Sequence, residues 1–79
     1  MNINISSEER NLLLAHPETE GQTRQILDEE EQELRGSADQ LDELRNACSD
    51  LLLRIGFDEE YRVTCDGTLL EELIDKLLT

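Results

Sequence analysis

The sequence predicts an all-α fold, a small three- or four-helix bundle, with short extended segments allowed at residues 1–5 and 61–64. Three observations lead there. Leu, Ile, Val and Phe together number 22 of the 79 residues, about 28%, above the roughly 20% level below which chains stay disordered. Fifteen of those 22 are Leu and one is Val, and Leu is a type that loses little rotamer freedom in a helix. Finally, capping signals and leucine stripes recur at helical spacing along the chain.

Ser6 and Glu9 have the spacing of a capping box, in which hydroxyl and carboxylate each satisfy a free N–H, so a first helix is expected over residues 7–15. Pro17 disfavours helical geometry at His16 and suits the first turn of a second helix. That helix is expected to end at Arg35, because Gly36 can take the left-handed conformation of a C-cap and Ser37 with Gln40 repeats the box. Gly21 weakens its first turn by up to ~1 kcal/mol relative to Ala. A third helix, over residues 38–55, carries Leu41, Leu44, Cys48, Leu51 and Ile55 on one face. Gly56 closes it, with Phe57 placed to fold back on Leu52 in a Schellman-type contact.

Residues 57–66 are less regular. Tyr61-Arg62-Val63-Thr64 reads as a short extended piece that could face residues 1–5, although two isolated strands are marginal without support. Asp66-Gly67 reads as a turn, and either Thr64 or Thr68 caps a fourth helix, the latter with Glu71 as box partner. Leu69, Leu70, Leu73, Ile74, Leu77 and Leu78 make that helix, expected to reach the C-terminus, the most firmly buried element. The expected core is Leu13, Ile26, Leu27, Leu34, Leu41, Leu44, Cys48, Leu51, Ile55, Phe57, Leu70, Leu73, Ile74 and Leu77, with Leu12 and Leu14 packing beside Leu13.

Length and charge narrow the function. A 79-residue chain buries only about 60% of its unfolded surface, which leaves room for one acidic helical domain over residues 1–79 and no large enclosed active site. Twenty acids stand against seven bases, a formal charge of -13. The excess is spread evenly, with nine acids and three bases in residues 1–36 and eleven and four in residues 37–79. Such a field repels nucleic-acid phosphates and anionic lipid and favours basic surfaces, so the expected partner is a basic protein, with no direct nucleic-acid contact and no membrane contact. Nothing resembles an apolar membrane span, and Met1-Asn2-Ile3-Asn4-Ile5 lacks the basic start and long apolar stretch of a secretory signal, so a cytoplasmic location is expected.

Site chemistry is sparse. Cys48 and Cys65, seventeen positions apart with no second pair and no His-x-x-x-His, do not make a zinc site. Cys48 falls in the leucine stripe and reads as a small buried hydrophobe, whereas Cys65 sits in the loop; a disulfide between them is conceivable, with free thiols expected in a reducing compartment. Asp58-Glu59-Glu60 and Asp66-Gly67 hint at a calcium loop, but setting Gly67 at its sixth position puts Arg62 first and Leu73 last, so the pattern fails. His16, the lone histidine, sits at a helix junction and reads as a capping or exposed residue. No serine stands between Asp and Leu, the setting in which a carrier protein bears its prosthetic arm. No catalytic, cofactor-binding or metal-ligating set is therefore expected.

The informative stretch is Asp28-Glu29-Glu30-Glu31-Gln32-Glu33, five acids in six positions. Read as helix, six positions at about 100° each pass all the way round the axis. Glu30 then falls at about 40° from Ile26, inside the stripe formed with Leu27 and Leu34. A buried unpaired carboxylate would cost several kcal/mol. Glu30 must therefore reach water or an arginine such as Arg45 or Arg54, project toward a basic partner, or pair across a dimer. The expected function is a non-enzymatic acidic protein-binding module of the inhibitor, immunity, adaptor or nucleic-acid-mimic type, with Asp28, Glu29, Glu30, Glu31 and Glu33 binding the partner. The alternative is a small structural homo-oligomer, a helical dimer without separate ligand. The docking surface rests on residues 28–33 being helix wet around its full circumference; any other conformation removes that ground.

Overall fold

The structure, a computed structural model, describes residues 2–78. The chain forms β1 (Asn2–Asn4), α1 (Ser7–Ala15), α2 (Pro17–Ile26), β2 (Leu27–Asp28), β3 (Glu33–Arg35), α3 (Ala38–Ile55) and α4 (Cys65–Leu77). Helix makes up 65% of the described residues. The strands form an antiparallel sheet in the order β1-β3-β2, so the all-α expectation is corrected to a mostly helical fold with a small sheet.

The local signals at the helix starts are realised as bonds. Ser6 and Glu9 make both bonds of the box, Glu9 N–H donating to Ser6 Oγ at 3.1 Å and Ser6 N–H to Glu9 Oε1 at 2.8 Å. In the second box Gln40 N–H donates to Ser37 Oγ at 3.2 Å and Ser37 N–H to Gln40 Oε1 at 3.0 Å. Pro17 occupies the first turn of α2, where its missing N–H is harmless. Of the two candidate caps for α4, Thr64 is the one used, accepting from Gly67 N–H at 3.0 Å. Asp66 and Gly67 are consequently in the first helical turn and not in a separate turn. The helix ends at Leu77, and the C-terminal Thr79 lies outside the described residues.

The second helix departs from expectation. It stops at Ile26, and the chain turns extended at Leu27, with φ -79° and ψ 125°. Residues 27–35 then form a hairpin, in register Leu27 with Leu34 and Asp28 with Glu33. β1 adds to its other edge, pairing Ile3 with Leu34 and Asn4 with Glu33. Side chains alternate across a strand, so Ile3, Leu34 and Leu27 share the row toward the helices, while Asn4, Glu33 and Asp28 share the row on the other face. This period-two solution buries Leu34 completely without carrying Glu30 into the core, which a helix would have done. Gly36 leads into α3 without adopting a positive φ, so the left-handed C-cap is absent.

The extended segment expected at residues 1–5 is thus present as β1, with its partner β3 in place of residues 61–64; Met1 lies outside the described residues. The 61–64 segment makes one antiparallel bridge, Val63 with Phe57. Gly56 ends α3 in right-handed geometry (φ -75°), its N–H donating to Leu52 O at 2.8 Å. The Schellman-type turn is therefore absent, and Phe57, 39% exposed, leaves the expected core.

α3 packs against α4 and α2, and α1 against α2 and α4. Leu13, Leu34, Leu41, Leu44, Cys48, Leu51, Leu70 and Leu73 are buried at their centre, with Ile5, Leu12, Ile26 and Leu77 around them. Leu27, Ile55 and Ile74 are only partly buried. The inner face of α2 is unexpectedly polar. Thr19 and Thr23 are fully buried, their hydroxyls donating to Leu13 O at 2.6 Å and Thr19 O at 2.7 Å, which removes the penalty for burying a hydroxyl.

Glu9, on α1, is the one buried carboxylate among the described residues. It is 2% exposed, and Lys76 Nζ on α4 donates to its Oε1 at 2.7 Å. On the far side Arg54 forms an ion pair with Glu18, joining α3 to α2, and this holds the Glu18 carboxyl below the usual carboxylate range.

Both thiols are free, Cys48 buried and Cys65 exposed. Burial pushes the Cys48 thiol up from its ordinary 9.0 to about 12, because an apolar surrounding disfavours the thiolate. One thiol per chain should therefore react with an aromatic disulfide reagent under native conditions and two after denaturation; two fast-reacting native thiols would contradict the core placement of Cys48. The folded state retains the Cys48 proton more tightly than the unfolded chain. The corresponding stability is full below pH 9.0 and is lost as pH rises toward about 12.

Candidate protein-binding surface

The acidic run forms the tip of the β2–β3 hairpin. Asp28 and Glu33 end its two strands, with residues 29–32 as a four-residue loop. Asp28 Oδ1 accepts N–H bonds from Glu30 at 3.1 Å and Glu31 at 3.3 Å, an Asx-type turn. Gln32 closes the loop in the left-handed region, φ 50°. Two bonds from the N-terminal segment brace it there: Ile5 N–H donates to Gln32 O at 3.0 Å, and Ser7 Oγ–H to Gln32 Oε1 at 2.9 Å.

This geometry separates the five residues expected to bind a partner. Asp28 and Glu33, like charges directly opposite each other, would repel across the strands. Arg35 offsets that repulsion, with Nη1 3.3 Å from Asp28 Oδ2 and Nε 3.2 Å from Glu33 Oε2. Both acids are half-buried and engaged inside the chain. Glu29, Glu30 and Glu31 are exposed, and no ion pair reaches them among the described residues. The arginines suggested for Glu30 lie elsewhere, Arg45 with Asp42 and Arg54 with Glu18.

The helical ground for a docking surface is therefore removed. The carboxylates are wet because a hairpin loop lifts three of them off the body, and not because a helix is solvated all round. Behind the loop, the end of α2 and the hairpin border a shallow depression of about 590 Å³ lined by Arg24, Ile26, Leu27, Asp28, Glu30 and Arg35 among others. Both charge signs meet in it.

A second acidic tip lies beyond the other end of α3, again turned by an Asp carboxylate but around a shorter loop. Asp58 Oδ1 accepts from Glu60 N–H at 2.8 Å and Arg62 N–H at 2.9 Å, and Tyr61 takes the left-handed position at φ 64°. The signal that could have revealed both is the repeated string of one apolar residue followed by Asp-Glu-Glu, Leu27 to Glu30 and Phe57 to Glu60.

Among the described residues no group of three or more His, Cys, Asp or Glu side chains is placed to hold a metal ion. No described helix is long and apolar enough to cross a membrane. Comparison of the chain with protein-family models, with curated proteins and with solved structures finds no match.

Proposed function

We propose that the protein is a non-enzymatic acidic protein-binding module that recognises a basic protein surface, in the manner of an inhibitor, immunity protein, adaptor or nucleic-acid mimic. The observation that supports this reading is the Glu29-Glu30-Glu31 tip, three exposed carboxylates that no cation pairs among the described residues, on a chain of net charge -13. Carboxylates left unpaired in this way act at long range, steering a positively charged partner into encounter. An exposed thiol at Cys65 suits a reducing compartment, and the cytoplasm is the proposed location.

The test is capture of a partner from native lysate at low salt, followed by a high-salt wash. A basic protein released by the wash is the expected result, whereas retention indifferent to salt would count against the reading. For the captured partner, Glu29→Gln, Glu30→Gln and Glu31→Gln combined should lower the association rate about tenfold at low ionic strength. The difference should shrink as salt screens the tip. An unchanged association rate would mean that the partner docks elsewhere.

A second reading, a small helical homo-oligomer without separate ligand, draws on Leu53, 78% exposed on α3, and Leu78, 56% exposed after α4. A second copy covering them would supplement a thin core. Sedimentation equilibrium decides, since a strict monomer at high concentration removes it.

A further inference from the structure

Among the described residues five large hydrophobic side chains are exposed, and three of them, Phe57, Tyr61 and Val63, fall within the short ribbon of residues 57–63. The ribbon is an ordered element. Asp58 N–H donates to Arg62 O at 2.9 Å and Tyr61 N–H to Asp58 O at 3.0 Å, closing a three-residue loop. Phe57 and Val63 are directly opposed, so their side chains stand on the same face. They are 39% and 46% exposed, while Tyr61 at the tip is 88% exposed.

Tyr61 carries two unfavourable features at once. Its aromatic ring is left in water, and its backbone takes a φ of 64°, a position that three-residue loops of this kind usually give to glycine. Aromatic side chains of this sort, presented on a hydrogen-bonded loop and free to be covered, are the residues that dominate binding energy when a partner buries them.

The rim identifies that partner's charge. Asp58, Glu59 and Glu60 are all exposed, and Arg62, with Nη2 2.8 Å from Glu60 Oε2 and Nε 3.4 Å from Asp58 Oδ2, neutralises only part of them. The apolar face is therefore bordered by net negative charge. We propose that Phe57, Tyr61 and Val63 form an apolar anchor that docks into a recess on a protein partner whose rim is lined by Lys and Arg. The proposal rests on the basic-surface reading above and adds a second determinant to it. The 18-residue α3 separates this ribbon from the 29–31 tip, about 27 Å along the helix axis, so the two act as distinct contacts.

Two synthetic peptides with the same number of lysines test it by NMR titration of the full chain: an oligolysine, and a longer amphipathic helix in which those lysines alternate with Leu at helical spacing. The amphipathic peptide should bind at least tenfold more tightly, with the largest shift changes at Phe57, Tyr61 and Val63. Tyr61→Gly should melt at or above the wild-type temperature, since glycine accepts the left-handed backbone, yet reduce amphipathic binding to the oligolysine level. Equal affinity for both peptides, or shift changes centred on Leu53 and Leu78, would overturn the anchor and leave the basic-surface reading in place. Failure of both peptides to bind at low salt would overturn the two together.

Discussion

Gly67→Ala should destabilise the protein by about 2–3 kcal/mol, the upper part of the range for forcing an added methyl into a packed contact. For a domain of this size that lowers the melting temperature by roughly 10–20 °C. A Cβ on Gly67 would overlap the carbonyl oxygen of Gly56 and lie 3.0 Å from its Cα and carbonyl carbon. These are backbone atoms and cannot swing aside. The same carbonyl accepts Thr64 N–H at 2.8 Å, and Thr64 in turn caps α4 and donates its hydroxyl to Ile55 O at 3.0 Å. The added methyl would thus wedge apart the end of α3 and the start of α4 and strain the cap with them. Gly21→Ala is the matched control. Nothing lies within 4 Å of its added Cβ, so the better helix former should raise stability by up to ~1 kcal/mol. Thermal denaturation of the two variants measures both signs, and a Gly67→Ala protein that melts with the wild type would show that α3 and α4 do not meet through glycine backbone.

Lys76→Met should cost about 3 kcal/mol in urea denaturation, at the lower end of the range for removing one partner of a buried ion pair. The two members are unequal: the Glu9 side chain is 2% exposed, the Lys76 side chain 42%. Removing the lysine strands a carboxylate that already has one oxygen, Oε2, buried without a partner among the described residues. Glu9→Gln in the Lys76→Met background should restore a large part of the loss, because a glutamine can still accept Ser6 N–H and complete the capping box without burying a charge. The two substitutions should therefore be strongly non-additive. Additive effects would mean that Lys76 contributes only a solvated surface contact.

How far each part of the fold could be read in advance follows from the range of the interactions that hold it. The box at Ser6 and Glu9, the box at Ser37 and Gln40, Pro17 and the stripe of α3 act within one or two helical turns, and each lies where its spacing placed it. Leu27 and Leu34 were ambiguous. Seven positions apart is two turns of helix and also opposite sides of a hairpin with a four-residue loop, so periodicity alone could not separate the two. What selects the hairpin is β1, which pairs with β3 from some thirty residues earlier in the chain, together with the penalty for carrying Glu30 into the core. Phe57 was misplaced for a similar reason. Its expected return onto Leu52 needed a left-handed Gly56, and the close approach of Gly67 accompanies a right-handed one.

The candidate surface divides the same way. That the acidic run 28–33 could not enter the core as a whole could be read directly, since five charges in six positions cannot all be buried by any backbone. Which of them are available could not, because Arg35 reaches Asp28 across from Glu33 only when the two strands align. Composition and local spacing by themselves determined that the chain is acidic, mostly helical and capped at Ser6 and Ser37. Tertiary structure alone decided the hairpin, the burial of Glu9 against Lys76, the glycine contact between α3 and α4 and the exposure of Tyr61, because each depends on groups distant in sequence whose pairing is settled only when the core closes.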